Sequence, residues 1–312
     1  MMTEHVPVMV REVVAGLNVR PGGRYVDATV GGGGHAYAVI EAASPGGSLL
    51  GFDRDPDALA AARSRLAPFG DDVRLEQSDF AEMDRLCREL DFAPVHGVLL
   101  DLGLSSLQLA EAERGFSFQH EGPLDMRFDQ RQEHSAAEIV NEYSEAALAD
   151  VLRRYGEETR ARRIARRIVE HRPLRTTTEL AKVVEKAVGG RARRLSHPAT
   201  RTFQALRIAV NQELLSLETA LPQAYGLLGD LGRMVVLSYH SLEDRLVKQF
   251  IQRESRDCLC PPRQPVCTCE HKAGLRPVSR RAVRPSAEEV EGNPRSRSAR
   301  LRVAERLPAV PG

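Results

Sequence analysis

The 312-residue sequence contains no tryptophan and only 5% aromatic residues, five cysteines, and no apolar run approaching the ~20 residues that a membrane helix needs. These absences exclude a bilayer-spanning helix, and five cysteines over this length are too few for a disulfide-held scaffold, which a reducing compartment would not maintain in any case. No internal repeat is evident, which argues against a solenoid. The stretch Met1-Met2-Thr3-Glu4-His5-Val6-Pro7 has neither a basic start nor an apolar segment of the secretory type, so the expected address is cytoplasmic. With 42% hydrophobic and 28% charged residues, the chain can bury one large core or two smaller ones.

Lysine is missing from the first 110 residues, where nine arginines face sixteen Asp and Glu. Residues 151–210 reverse that balance, with sixteen Lys and Arg against five Glu, although the formal net charge of the whole chain is only +1. A short charged run is commonly a solvated helix face. Sixty residues dominated by arginine favour a phosphate-rich partner instead.

Short apolar runs alternate with helical segments in the order of a parallel sheet with crossover helices. Strands are predicted over 24–28, 49–52, 73–76, 95–100 and 234–237, with a last one over 299–307; helices are predicted over 35–41, 56–66, 81–90 and 242–254. The interval 105–230 is far too long for a simple crossover. Five helical patterns fill it, over 135–141, 144–155, 159–172, 178–188 and 198–220. The expected fold class is therefore α/β, a doubly wound Rossmann-like core over 1–110 and 225–312 interrupted by a basic all-helical domain over 111–224.

The first strand ends in Asp27, and Gly31, Gly32, Gly33 and Gly34 follow before a helix opens at His35. Glycine lets the backbone adopt positive φ and close on a nucleotide-like ligand, and the free N–H groups of the helix point back into the loop. Gly31-x-Gly33-x-x-Ala36 also fits the looser dinucleotide fingerprint, so the turn alone does not separate a nicotinamide-dependent oxidoreductase from a methyltransferase. Asp53, ending the second strand, can accept both ribose hydroxyls in either class. Phe80, after the third, offers an aromatic face to adenine or packs in the core. Asp27 discriminates: a carboxylate there repels a pyrophosphate but receives the cationic amine and sulfonium of S-adenosylmethionine. Asp101 ends the fourth strand at the same crevice.

At this point the sequence resembles a known family, that of the bacterial 16S ribosomal RNA cytosine N4-methyltransferases, ribosomal RNA small subunit methyltransferase H. The matching stretches are 5–9, 27–35, 51–55, 101–106 with Gln108, 114–118, 122–127, 202–208, 238–245 and 293–299, spread over nearly the whole chain in one order. The resemblance implies methylation of the exocyclic N4 of cytosine 1402 in 16S rRNA within the small ribosomal subunit, with S-adenosylmethionine as donor. It implies cofactor contacts at Gly33, Gly34, His35, Asp53, Phe80, Asp101 and Gln108, of which only Gln108 has no independent reason in the residues themselves. A methyltransferase acting on another RNA or DNA base is the neighbouring alternative. A homodimer is compatible with the sequence, which sets no oligomeric state.

The N4 lone pair of cytosine is delocalised into the ring, so an oxygen acceptor must hold the amino group while it pyramidalises. Asp101, or the backbone and hydroxyls of Leu102 to Ser106 with Ser105 among them, can supply it. Other amino-methyltransferases carry an Asp/Asn-Pro-Pro-aromatic loop at this place, where this chain has Asp101-Leu102-Gly103-Leu104. His240, after the fifth strand, either orients the target base or lies in a capping turn with Ser241 as the cap. Phe116, Phe118, Arg127 and Phe128 are candidates for the wall of a pocket around a flipped base, or for a loop packed on the core. Arg160, Arg162, Arg163, Arg166, Arg167, Arg191, Arg193 and Arg194 are candidates for clamping the RNA backbone. Finally, Cys258-x-Cys260 and Cys267-x-Cys269 have a spacing compatible with one tetrahedral structural zinc, which the methyl chemistry itself does not require.

Overall fold

Seven strands form one sheet: β1 (Arg24–Asp27), β2 (Ser48–Asp53), β3 (Val73–Gln77), β4 (Val95–Asp101), β5 (Leu228–Ser238), β6 (Leu275–Pro277) and β7 (Arg300–Arg306), in the spatial order β3-β2-β1-β4-β5-β7-β6. The computed structural model describes residues 7–189, 197–261, 264 and 266–308. The first five strands are parallel, while β7 runs antiparallel to both β5 and β6. Parallel strands are covered on both faces, hence the unbroken apolar runs Leu49-Leu50 and Val98-Leu99-Leu100.

Successive residues point to opposite faces. Tyr25, Leu49, Leu99, Val235 and Leu237 pack on one side with the apolar faces of α1 (Val10–Leu17), α2 (Gly34–Ala43) and α3 (Pro56–Leu66). Val26, Leu50, Val98, Leu100 and Val236 pack on the other with α4 (Met83–Glu89). Between β4 and β5 the chain passes through α5 (Ser106–Ala110), α6 (Ala136–Glu142), α7 (Glu145–Gly156), α8 (Ala161–Glu170), α9 (Thr177–Val188), α10 (Thr200–Asn211) and α11 (Glu213–Leu227); α12 (Ser241–Glu254) and α13 (Ala287–Gly292) come after β5. The fold is thus a Rossmann-like α/β sheet with helices inserted between its fourth and fifth strands. Among the described residues no helix is long and apolar enough to cross a membrane.

The chain divides into two compact units, Met1–Gly103 with Leu215–Gly312, and Leu104–Leu214. The sequence reading set the insert at 111–224. The difference at its far end has a packing cause, because Leu217, Ala220, Leu221 and Ala224 of α11 bury in the sheet's core. Within the helical unit, Leu148 and Leu152, Ile164 and Ile168, Leu180 and Val184, and Phe203 and Leu206 form one core. On α8, Ala161, Ile164, Ala165 and Ile168 are buried while Arg162, Arg163, Arg166 and Arg167 are exposed, a division at helical period. Arg160 is engaged differently: it precedes α8 and donates to the Val188 carbonyl. Arg191, Arg193 and Arg194 lie outside the described residues.

Several elements differ from the sequence expectation. The helix expected over 198–220 is two helices, since Gln212 takes a left-handed conformation (φ 51°) that caps α10. The helix expected over 81–90 begins as a 3-10 turn, Phe80–Glu82, capped by the Asp79 side chain. Both α1 and the three-residue edge strand β6 were unforeseen. The segment with Phe116, Phe118 and Phe128 is packed rather than open within its unit: Phe116 and Phe128 stack at 5.5 Å and Phe118 meets Phe203 edge-on at 4.9 Å. Arg127 is tied to Asp125 through two hydrogen bonds of 2.8 and 2.9 Å.

Candidate active site at the carboxyl edge of the sheet

Because β1, β2 and β4 run parallel in register, with Asp27 beside Gly51 and Leu99, the acids that end them arrive at one edge. The chain leaving β1 is fastened on both sides: Ala28 N donates to the Leu99 carbonyl (2.9 Å) and Val30 N to that of Phe52 (2.8 Å). Gly31 (φ 50°) and Gly33 (φ 79°) then occupy the left-handed region that favours glycine. Gly31 N donates to Asp53 Oδ2 at 2.8 Å, so the acid of β2 holds the loop of β1. A Cβ at Gly33 would lie 3.2 Å from Ala62 Cα, and one at Gly34 would lie 2.9 Å from Pro7 Cγ. These glycines are required for the loop to seat on its own scaffold.

The electrostatics are dominated by buried acids. Asp27 is 2% exposed; its Oδ1 accepts from Thr29 N (3.1 Å), while Oδ2 is buried without a hydrogen-bond partner. Burial, reinforced by Asp101 and Asp53 and opposed by His35, pushes its carboxyl up to about 7. Asp53, whose Oδ1 accepts from Asp55 N (2.9 Å), is pushed up to about 6 by burial, against the lowering effect of the backbone N–H groups around it.

His35 sits between these acids. Its Nε2 is 2.8 Å from the Val8 carbonyl and its Nδ1 is 3.3 Å from Asp101 Oδ2. A carbonyl only accepts, so Nε2 carries a hydrogen, and the Asp101 carboxylate facing Nδ1 favours a second one there, the imidazolium. Burial opposes that charge, but Asp101, with Asp27 and the Val8 carbonyl, raises its pKa above the usual histidine value. The other oxygen of Asp101 accepts from the Tyr239 hydroxyl at 2.8 Å, and Asp101 N donates to Thr29 Oγ1 at 2.6 Å. Burial and the neighbouring Asp101 keep the Tyr239 hydroxyl protonated far above its ordinary range. Sequence reasoning singled out neither Tyr239 nor Thr29.

The remaining candidates are distributed differently. Phe80 is half-buried against the core at the end of β3, so part of its ring packs and part is open. Its neighbour Asp79 receives Ser216 Oγ–H (2.9 Å) and lies 3.3 Å from the Arg54 guanidinium. His240 is itself the cap of α12, one residue earlier than expected: its Nδ1 accepts from Glu243 N (3.3 Å), and Glu243 Oε2 accepts from Tyr239 N and His240 N. Ser105 and Gln108 belong to the other unit, where they form a capping box on α5: Ser105 Oγ accepts from Gln108 N (3.2 Å) and Gln108 Oε1 from Ser105 N (3.1 Å). Cys258, Cys260, Cys267 and Cys269 come together in the loop between α12 and β6.

The acids at the glycine loop fit an adenosyl group with a cationic tail. The orphaned Oδ2 of Asp27 is matched by a cationic donor, and each oxygen of Asp53 retains a lone pair for a ribose hydroxyl after meeting its backbone partner. The open part of Phe80 can take a ring face.

Known proteins resemble this chain over almost its full length. The pattern of the MraW methylase family matches residues 2–307. Proteins named Ribosomal RNA small subunit methyltransferase H are similar to this chain. The one from Dehalococcoides mccartyi is 59% identical, covering 98% of this chain and 88% of its own. That from Thermomicrobium roseum is 53% identical over 98% and 94%, and that from Symbiobacterium thermophilum 49% over 99% and 98%. With relatives this similar across both lengths, and a family pattern spanning nearly every residue, this chain belongs to the MraW methylase family.

Proposed function

We propose that this chain is an S-adenosylmethionine-dependent methyltransferase that methylates the exocyclic N4 of cytosine 1402 in 16S rRNA of the small ribosomal subunit. The observation that carries the reading is the Asp27–His35–Asp101 cluster beside the glycine loop, in a chain whose relatives are named as small subunit rRNA methyltransferases. When bound, the cofactor supplies an electrophilic methyl group on a sulfonium. Asp27 would receive its cationic amine and Asp53 its ribose, with Phe80 and the glycine loop around the adenosyl part. A pyrophosphate in the same turn would face three carboxylates, which disfavours the nicotinamide alternative.

Asp101 is the member of the cluster a substrate can reach, its side chain being 23% exposed against 6% for His35. Fixed by His35 on one oxygen and Tyr239 on the other, it has a single orientation in which to accept an N4 hydrogen. Both partners donate to Asp101 and so draw charge from it. Asp101 therefore orients the amino group while its lone pair leaves conjugation with the ring, and takes up an N4 proton only once the methyl has been transferred, when the nitrogen is cationic and a weak base suffices. His240, held as a helix cap, would border the base. In the helical unit, Arg162, Arg163, Arg166 and Arg167 of α8 would meet the RNA backbone, with recognition resting mostly on RNA shape.

The test is incubation of the protein with methyl-labelled S-adenosylmethionine and small subunits from cells that lack this modification, followed by nuclease digestion and mass spectrometry. One label at N4 of cytosine 1402 is expected. Label at another base or another ring position refutes the target, and no transfer refutes the activity.

A further inference from the structure

The four cysteines outside the active site carry a second assignment. Their Sγ atoms all lie within 4.8 Å of one another, with separations of 3.5 Å (Cys258–Cys267), 3.6 Å (Cys267–Cys269), 3.8 Å (Cys258–Cys269) and 4.0 Å (Cys260–Cys267). A zinc ion with Zn–S bonds of about 2.3 Å at the centre of a sulfur tetrahedron sets edges of about 3.8 Å. Disulfides require about 2.05 Å, and all four side chains are free thiols. Backbone donors are also aimed at the sulfurs: Leu259 N at Cys269 (3.3 Å), Cys260 N at Cys258 (3.4 Å) and Thr268 N at Cys260 (3.4 Å). Such N–H groups do little for a neutral thiol, but they stabilise a metal-bound thiolate.

Apart from the sulfurs, the described residues of the segment are held by exposed hydrogen bonds, Gln264 Nε2 to the Val266 carbonyl and Thr268 Oγ1, and Ala273 N to Asp257, and by no apolar core. Between Gln252 and Gly274 no described residue is buried, and Val266 is 69% exposed. Ordering some twenty residues opposes folding by about 1–2 kcal/mol each in backbone entropy alone, and no apolar core offsets it here. His271, the imidazole next in sequence to the cluster, is turned to the Arg253 carbonyl at 3.2 Å, and the group within ligand distance is four sulfurs. Four thiolates in a tetrahedron select zinc or iron among common ions, and a redox-inert ion suits a loop at the surface.

We infer that Cys258, Cys260, Cys267 and Cys269 bind one structural Zn²⁺ as thiolates and thereby fix the connection from α12 to β6. Binding releases the thiol protons to solvent and changes no oxidation state.

The full chain, purified without chelators, is assayed for metal by mass spectrometry, for thiols before and after a mercurial releases the metal, and for its absorption after exchange with Co²⁺. About one zinc per chain is expected, with four thiols unmasked on release and the charge-transfer and d–d bands of tetrahedral thiolate cobalt. The double variant Cys258→Ser/Cys269→Ser should lose the zinc, and trypsin should cut it faster at Arg253, Arg256 and Lys272; Cys87→Ser should keep the zinc. Should the double variant fail to fold, the same protease comparison is made on the native chain with and without mercurial. Fewer than about half a zinc per chain with four reactive thiols, iron in its place, or disulfides at these positions would each overturn the assignment.

Discussion

Replacing Asp27 by Asn separates stability from cofactor binding, because the same buried charge acts on both with opposite sign. Burial raises its carboxyl from 3.8 to about 7, a shift equivalent to about 4 kcal/mol against the ionised form. The folded protein therefore holds this proton more tightly than the unfolded chain, so stability falls as pH rises from about 4 to about 7 and is level beyond. Asn preserves the oxygen that accepts from Thr29 N but buries an amide donor where Oδ2 has no partner, which costs about 1–3 kcal/mol. The ligand-free variant should thus be more stable than the native protein by about 1–3 kcal/mol at pH 8. It should also lack a charge-assisted hydrogen bond to the ligand worth about 1.5–3 kcal/mol, weakening S-adenosylmethionine about 10- to 150-fold.

Calorimetric titration with S-adenosylmethionine at about pH 6 and about pH 8, with thermal unfolding of the ligand-free forms, checks both halves. The native protein should bind about tenfold more weakly at the lower pH, where Asp27 is mostly protonated, and the Asn variant should show no such acid limb. The amino group of the ligand itself titrates near ~8, equally in both proteins, so only the acid limb is diagnostic. A variant that binds within about twofold of the native protein, or that is less stable without ligand, would refute the role given to Asp27.

Asp101→Asn should lower single-turnover methyl transfer about 10²- to 10⁴-fold, whereas Tyr239→Phe, which removes one hydrogen bond to Asp101, should lower it about 3- to 10-fold with cofactor affinity nearly unchanged. His35→Gln can keep the hydrogen bond to Val8 but not the one to Asp101, so its effect combined with Asp101→Asn should be clearly less than additive in a double-mutant cycle; additivity would uncouple the pair. Glu213→Gln breaks a two-bond ion pair with Arg207 in which both groups are nearly buried, and should lower unfolding stability by about 3 kcal/mol in a guanidinium titration. Reversing Arg162 and Arg163 to Glu should weaken binding to small subunits and make its dependence on log salt shallower by about one unit for each phosphate no longer neutralised; an unchanged slope would remove α8 from the RNA interface.

What was legible in the sequence is what local chemistry dictates. Asp27, Asp53 and Asp101 each end an apolar run, and a run of glycines after the first has few purposes other than a tight strand-to-helix turn. The hydrogen bonds that complete the site join distant parts of the chain: Tyr239 reaches Asp101 across 138 residues and Thr29 reaches it across 72. Tyr239 follows a buried strand and reads as one more core aromatic. His240 shows the opposite difficulty, since His-x-x-Glu is a capping pattern with an uncommon cap, and Ser241 beside it looks like the better one. The Gly- and Pro-rich stretch around Phe116 and Phe128 suggests an open loop. It packs because Arg114 donates to the Phe128 carbonyl and the Asn211 amide takes the Phe128 N–H and the Met126 carbonyl, satisfying backbone that would otherwise need water.

His35 is the counter-ion that the fold places among these acids. Asp27 and Asp53 both resist ionisation where they stand, and Asp101 close by adds to the repulsion on Asp27. An imidazolium between Asp101 and the Val8 carbonyl is a counter-ion supplied by the fold, and its raised pKa means that its stabilising effect is complete below the ordinary histidine range and is lost as pH rises through the higher, folded-state value. Asp27 gains its charge as pH rises through about 7. One imidazole among three acids leaves a surplus of acidic groups at the glycine loop, which is the charge the proposed cationic ligand would meet. The surplus of acids at the loop and the proposed fit of a positively charged cofactor are then one property, set by which strand ends carry acids and by where a single histidine stands among them.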